Sequence, residues 1–178
     1  GNIYVTMAKK QVFGKVSIDM LAGPSEILIW AEDNANPDYV IADLLSQAEH
    51  DQDARAVLVT TSHKLAKQVE EGINQQIEKF TKKDIIINSL KKHGKVIVAE
   101  NHKLVIELIN EFAPEHLELQ INNPWDYLGD IKNFGAVFLG SYSPEPLGDY
   151  WAGPNHILPT MGSARHFSVL SVHDFLKR

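Results

Sequence analysis

Four short apolar runs, spaced by amphipathic stretches, constrain this chain more tightly than any other feature. Residues 26–32 (EILIWAE), 56–61 (AVLVTT), 95–100 (KVIVAE) and 135–140 (GAVFLG) are almost continuously apolar. Such runs suit strands buried on both faces of a parallel sheet, whereas a sheet with one wet face would show alternation. Parallel neighbours need long crossovers, and the stretches between these runs carry helical periodicity. Asn36 can cap, and Pro37 can open, a helix reaching about His50. Residues 63–80, 102–112 and 124–134 read as three more helices. The alternation predicts an α/β, doubly wound, mainly parallel sheet.

A doubly wound sheet commonly has about five or six strands, and ligands sit beyond their carboxyl ends. Four strands make this an incomplete Rossmann-like domain, and neither a GxGxxG nor a GxxxxGK[ST] fingerprint is present. Residues 1–24 read as the tail of a preceding nucleotide-binding-type domain, with too little helix or strand to form a unit. Residues 25–165 read as the incomplete α/β core. Residues 166–178, an apolar–basic pattern, read as the start of a C-terminal helical region.

Charge and cysteine content narrow the function classes. The net charge is −6 and no Lys/Arg run exceeds two residues, which excludes a general nucleic-acid backbone binder. Lys82-Lys83 and Lys91-Lys92 read as solvated helix ends. With no cysteine there is neither a disulfide framework nor a thiolate metal site, so a metal must be held by nitrogen and oxygen. Eight histidines leave room for such a site. No apolar run approaches the ~18–20 residues that span a bilayer, and no signal-peptide pattern opens the chain, so the expected compartment is the cytoplasm.

Three polar clusters stand out. Asp43, Gln47 and His50 fall within an arc of about 60° on one helix face. They could coordinate a metal, line a pocket, or face water with His50 as a cation at the helix C-terminus. In FAPEHLEL (112–119), Pro114 stops a helix and Glu115-His116 follow at once. A carboxyl and an imidazole can divide acid–base work; alternatively Glu115 balances a helix dipole and His116 is a loop residue. In PLGDYWAGPNHILPT (146–160), prolines and glycines bend the chain after the last strand and set Asp149, Asn155 and His156 into the bend. That placement favours ligand contacts over plain turn formation. Ser25, in a Gly-Pro-Ser turn before the first strand, could touch a ligand but lacks the nucleophile-elbow pattern.

Six blocks, taken in order, resemble the central part of histidinol dehydrogenases: GNIYVTMAKKQV, IDMLAGPSEILI, LLSQAEHDQDARAVLVT, APEHLEL, GAVFLGSYSPEPLGDYWAGPNHILPT and FSVLSVHDFLKR. The resemblance implies NAD-dependent, four-electron oxidation of L-histidinol to L-histidine through an aldehyde, closing histidine biosynthesis. It implies a homodimer with one zinc per site, a fourth zinc ligand coming from the partner subunit and from a region outside this chain. By the same resemblance Gln47, His50 and Asp149 match zinc and substrate ligands, and Glu115 and His116 match the acid–base pair. Ser25, His116 and His156 match substrate contacts, and Asn2 matches a dinucleotide contact. Asp43 is left as a hydrogen-bonding support for the helix face. Trp151-Ala152 replaces a smaller Ala-Ser pair common in the family. Because the family is longer at both ends, the chain is expected to be inactive alone. Two rival readings are a non-catalytic α/β module that binds small molecules or dimerises, and a zinc hydrolase, although no HExxH motif occurs.

Overall fold

The computed structural model describes residues 3–177. Five strands form one all-parallel sheet: β1 (Glu26–Ala31), β2 (Arg55–Thr60), β3 (Lys95–Val98), β4 (His116–Gln120) and β5 (Ala136–Leu139), in the order β3-β2-β1-β4-β5. The helices are α1 (Ile3–Val12), α2 (Pro37–His50), α3 (His63–Gln76), α4 (Lys83–His93) and α5 (His102–Phe112). The α/β doubly wound, parallel architecture expected from the apolar runs is present.

Alternation within each strand builds two cores. Ile27, Ile29, Ala56 and Leu58 face α2, α3 and α4, meeting Ile41, Leu44, Leu45, Val69 and Ile86. Leu28, Trp30, Val57, Val59, Leu117 and Leu119 face the opposite layer, meeting Val105 and Ile109 of α5. Every residue of β1 is buried, so a central strand has no polar face to show and reads as a continuous apolar run.

Several local expectations change. The fifth strand, β4, was not foreseen, because its sequence HLELQ alternates polar and apolar residues and resembles a half-wet strand. The pattern over 63–80 is a helix to Gln76 followed by a single 3-10 turn, Ile77–Lys79. Helix α4 was not assigned, though the lysine pairs read as helix ends do flank and close it. The expected helix over 124–134 is only a 3-10 turn, Pro124–Tyr127, since the following Gly129 and the short span favour a tight turn. The segment 1–20 contains α1, and the described residues of the C-terminal pattern hold one 3-10 turn, Val172–Phe175.

Two capping features place the site. The Asn36 side chain accepts the Asp38 N–H at 3.0 Å and Pro37 occupies the first helical position, as expected, so α2 starts beyond the carboxyl end of β1. It then runs back along the sheet, and His50 reaches the level of the strands' amino ends. At the end of α5, Ala113 takes a left-handed conformation (φ +51°) while fully buried, turning the chain through Pro114 into Glu115 and β4.

Candidate active site

β4 carries His116, Glu118 and Gln120 at alternate positions, and its register pairs them with Ile27, Ile29 and Ala31. They therefore share the face that packs on α2. All three are buried, an arrangement that demands polar partners. The partners come from Asp43 of α2, from Glu26 of β1 and from Glu145 in the segment 145–152 that follows β5. Gln120 Nε2 donates to Asp43 Oδ2 at 2.9 Å and to Glu118 Oε2 at 3.1 Å, and Glu118 Oε1 accepts the Glu145 N–H at 2.8 Å.

Glu115 and His116 are both anchored on one residue of the neighbouring strand. Glu115 Oε2 accepts the Glu26 N–H at 2.9 Å, and His116 Nδ1 lies 3.1 Å from the Glu26 carbonyl. A carbonyl can only accept, so Nδ1 carries the proton and Nε2 is the free base. Nε2 points to Glu145, 3.7 Å from its Oε1. Glu26 is itself buried; its Oε1 accepts the Met161 N–H at 2.9 Å, and Arg55 lies 3.8 Å from Oε2. Met161 holds a left-handed φ of +56° there.

Burial dominates the electrostatics. It pushes the Glu115 carboxyl up to about 8, reinforced by the charges of Glu26 and Glu145 and opposed by hydrogen bonds from the Glu26 N–H and from Ser25. It pushes His116 down to about 4, the Glu26 hydrogen bond and the Asp149 charge opposing, with His50 pushing it further down. At neutral pH both groups are therefore uncharged, and the 3.7 Å approach of Glu115 Oε2 to His116 Nδ1 is a neutral contact, not an ion pair. Burial, with the neighbouring Asp149 charge, also raises Glu145 to about 7. Glu118 and Asp43 are raised by burial as well.

The candidate ligands converge from two elements. Ligand atoms of His116, Glu145 and Asp149 lie within 4.8 Å of one another. His50, Glu145 and Asp149 line one cavity of about 200 Å³. Gln47 is 1% exposed, yet neither its Oε1 nor its Nε2 finds a hydrogen-bond partner. An amide left bare on the same helix face as His50 fits an oxygen ligand waiting for a cation, and the cysteine-free donor set suits a divalent ion held by nitrogen and oxygen. Ser25 reaches Glu115, while His156 is exposed and belongs neither to the His116/Glu145/Asp149 group nor to the lining of the cavity beside it. Asn2 lies outside the described residues.

Two features differ from the sequence reading. The cluster gathers around the first residue of β4 and the end of α2, on the amino side of the sheet, not beyond the strands' carboxyl ends. Glu26, Glu118 and Glu145 were missed; the one available signal was the H-L-E-L-Q alternation, polar at every second position beside a helix with a matching polar stripe.

Fold and site together define a doubly wound α/β protein with an uncharged, buried carboxyl–imidazole pair beside a His/Glu/Asp cluster that could hold a metal ion. The family model for histidinol dehydrogenase matches residues 1–178. The histidinol dehydrogenase of Listeria monocytogenes serovar 1/2a is 57% identical over 178 residues, all of this chain and 42% of that sequence. That of Caldanaerobacter subterraneus subsp. tengcongensis is 61% identical, again over all of this chain and 41% of its own length. The crystal structure of histidinol dehydrogenase from Elizabethkingia anophelis superposes with a TM-score of 0.93 at 45% identity, covering 99% of this chain and 41% of that one. This chain belongs to the histidinol dehydrogenase family, and it spans about two-fifths of the length of these relatives.

Proposed function

We propose that the protein carrying this chain oxidises L-histidinol to L-histidine with NAD, passing through the aldehyde, as the last step of histidine biosynthesis. The observation that supports this best is the pairing of an unprotonated His116 with a protonated Glu115 on the two polar groups of one peptide residue, Glu26. Family membership supports the choice of substrate.

In this reading Gln47, His50 and Asp149 hold a zinc ion, with a fourth ligand from the partner subunit of a cytoplasmic homodimer. When bound there, zinc would supply a fixed positive charge to orient the imidazole and amine of the substrate, and NAD would supply the hydride acceptor for each oxidation. His116 Nε2 takes the hydroxyl proton of the alcohol as the adjacent C–H bond gives up its hydride, leaving an aldehyde. Burial keeps His116 free of solvent protons, so its lone pair is available at neutral pH. Glu115, once ionised, takes a proton from water as the water oxygen adds to the aldehyde carbon, and protonated His116 returns its proton to the former carbonyl oxygen, giving the hydrate and restoring the free base. His116 then takes the hydroxyl proton of the hydrate while the second hydride leaves, giving the carboxylic acid. Ser25, through its contact with Glu115, and His156 are assigned to substrate, and Asn2 to the dinucleotide. Residues 25–165 form the catalytic core in this scheme, flanked by parts of neighbouring units.

The test is to supply the full-length gene product with L-histidinol, NAD and zinc and to follow NADH. Two NADH per histidinol, lost in His116→Asn with retained zinc binding, is the expected result. NADH-independent consumption of substrate, or no turnover by a zinc-loaded dimer, would overturn the reading.

A further inference from the structure

The buried chain of hydrogen bonds behind the site has no part in the acid–base steps, yet it joins the two elements that bear the candidate ligands. Glu118 is 1% exposed and points from the middle of β4 towards α2 and the 145–152 segment. Its Oε1 accepts the N–H of Glu145, the first residue of the turn that leads to Asp149, at 2.8 Å. Its Oε2 accepts from Gln120 Nε2, and the same Nε2 donates to Asp43 Oδ2 on α2, one turn before Gln47. A carboxyl group aimed at the first N–H of a helical turn satisfies a donor that the turn itself cannot.

The segment needs such a hold. From Gly148 to Ala152 it winds as a wide π turn, and Gly148 packs so close to Phe138 that a Cβ would stand 2.6 Å from the ring. Tyr150 and Trp151 are left in solvent, 84% and 86% exposed, so their burial does not pin the turn. Asp149 is thus carried on a short turn whose backbone is held to β4 by the Glu118 carboxyl, beside the longer 3.7 Å approach of the Glu145 side chain to His116.

We propose that Glu118 is a positioning residue: through Gln120 and Asp43 it ties the 145–152 turn to α2, and so sets Asp149 opposite His50 and His116. The proposal deepens the zinc reading given above and rests on it for its consequence, although the tether is a property of the protein without metal.

The test uses the full-length protein and two readouts. In metal-free protein, amide hydrogen exchange reports on residues 145–152; zinc affinity is measured by competition with a chromogenic chelator. In Glu118→Ala these amides should exchange at least about tenfold faster, and zinc should bind about 10–100-fold more weakly, the usual cost of losing a group that orients a ligand. Glu118→Gln should stay within about threefold of wild type in both. Its carbonyl can still accept the Glu145 N–H, and its amide can donate to Asp43, to which Glu118 is already hydrogen-bonded, so the tie to α2 is kept. Unchanged exchange in Glu118→Ala would overturn the proposal, as would Glu118→Gln behaving like Glu118→Ala. Should Glu118→Ala fail to fold, Asp43→Ala, at the less buried end of the chain, takes its place. Faster exchange at 145–152 there supports the link to α2, and unchanged exchange refutes it. If wild-type protein binds no zinc but the exchange result stands, the metal reading fails and the tether survives.

Discussion

Replacing Glu115 by Gln should stabilise the protein by an amount that grows with pH. Glu115 is 5% exposed, and burial raises its carboxyl from 4.5 to about 8. The folded state therefore holds a proton that the unfolded chain releases between those values. Stability contributed by the protonated group is complete below 4.5 and is lost as pH rises through about 8. At about 1.4 kcal/mol per pH unit of displacement, ionisation of Glu115 weighs against folding by about 1 kcal/mol at pH 5, about 3 at pH 7 and about 5 at pH 9. Gln has the same shape, cannot ionise, and keeps an oxygen for the Glu26 N–H. The stability difference between Glu115→Gln and wild type should therefore shift by about 4 kcal/mol towards the variant between pH 5 and pH 9. His116 titrates in both proteins, and its effect, loss of stability as pH falls from 6.5 to about 4, largely cancels in the difference. Urea unfolding of metal-free protein at three pH values, with constant m-values, measures it. A difference that stays flat within about 0.5 kcal/mol would mean Glu115 ionises like an exposed carboxylate, and the burial argument would be wrong.

Turnover should show the same ionisation: kcat rises with pH through about 8, and a pH–rate profile of Glu115→Gln should lose that limb along with most of the activity. Gln47→Leu should raise the stability of metal-free protein by about 1–2 kcal/mol, because it removes two buried polar atoms without partners, while weakening zinc at least about tenfold. Paired thermal melts and chelator competition would expose an error if both quantities fell together. Gly135→Ala should destabilise by about 2–3 kcal/mol and cut kcat, since its Cβ would lie 2.5 Å from the Glu115 carbonyl oxygen and push the acid–base pair off the sheet. A variant with wild-type kcat would contradict this. Ile29→Ala, at a residue with no exposure in the core facing α2, should cost about 2–5 kcal/mol by urea unfolding without altering the pH–rate profile.

The local chemistry of the chain was legible because it depends on short-range rules. Continuous apolar runs specified parallel strands, with β1 and β2 buried as expected while the edge strands β3 and β5 stay partly open to solvent, and Asn36-Pro37 specified the start of α2. Pro114 marked the end of α5, and the i, i+4, i+7 spacing put Asp43, Gln47 and His50 on one face. The six family blocks pointed to histidinol dehydrogenase for the same reason, since they are patterns along the chain. What the sequence could not supply is which polar face meets which. HLELQ reads as a half-wet strand until the register places His116, Glu118 and Gln120 beside Ile27, Ile29 and Ala31, under α2. Glu26 looks like the polar edge of an apolar run until pairing with β4 brings its N–H and carbonyl to Glu115 and His116. Glu145 and Asp149 become neighbours of His116 only when the chain beyond β5 folds back over the sheet. The protonation states of Glu115 and His116 follow from burial by elements distant in the chain, Glu26 lying about ninety residues away. The central apolar strands and the starts and stops of helices are local and were legible in the sequence; register, desolvation and convergence are long-range, and tertiary packing alone decided them.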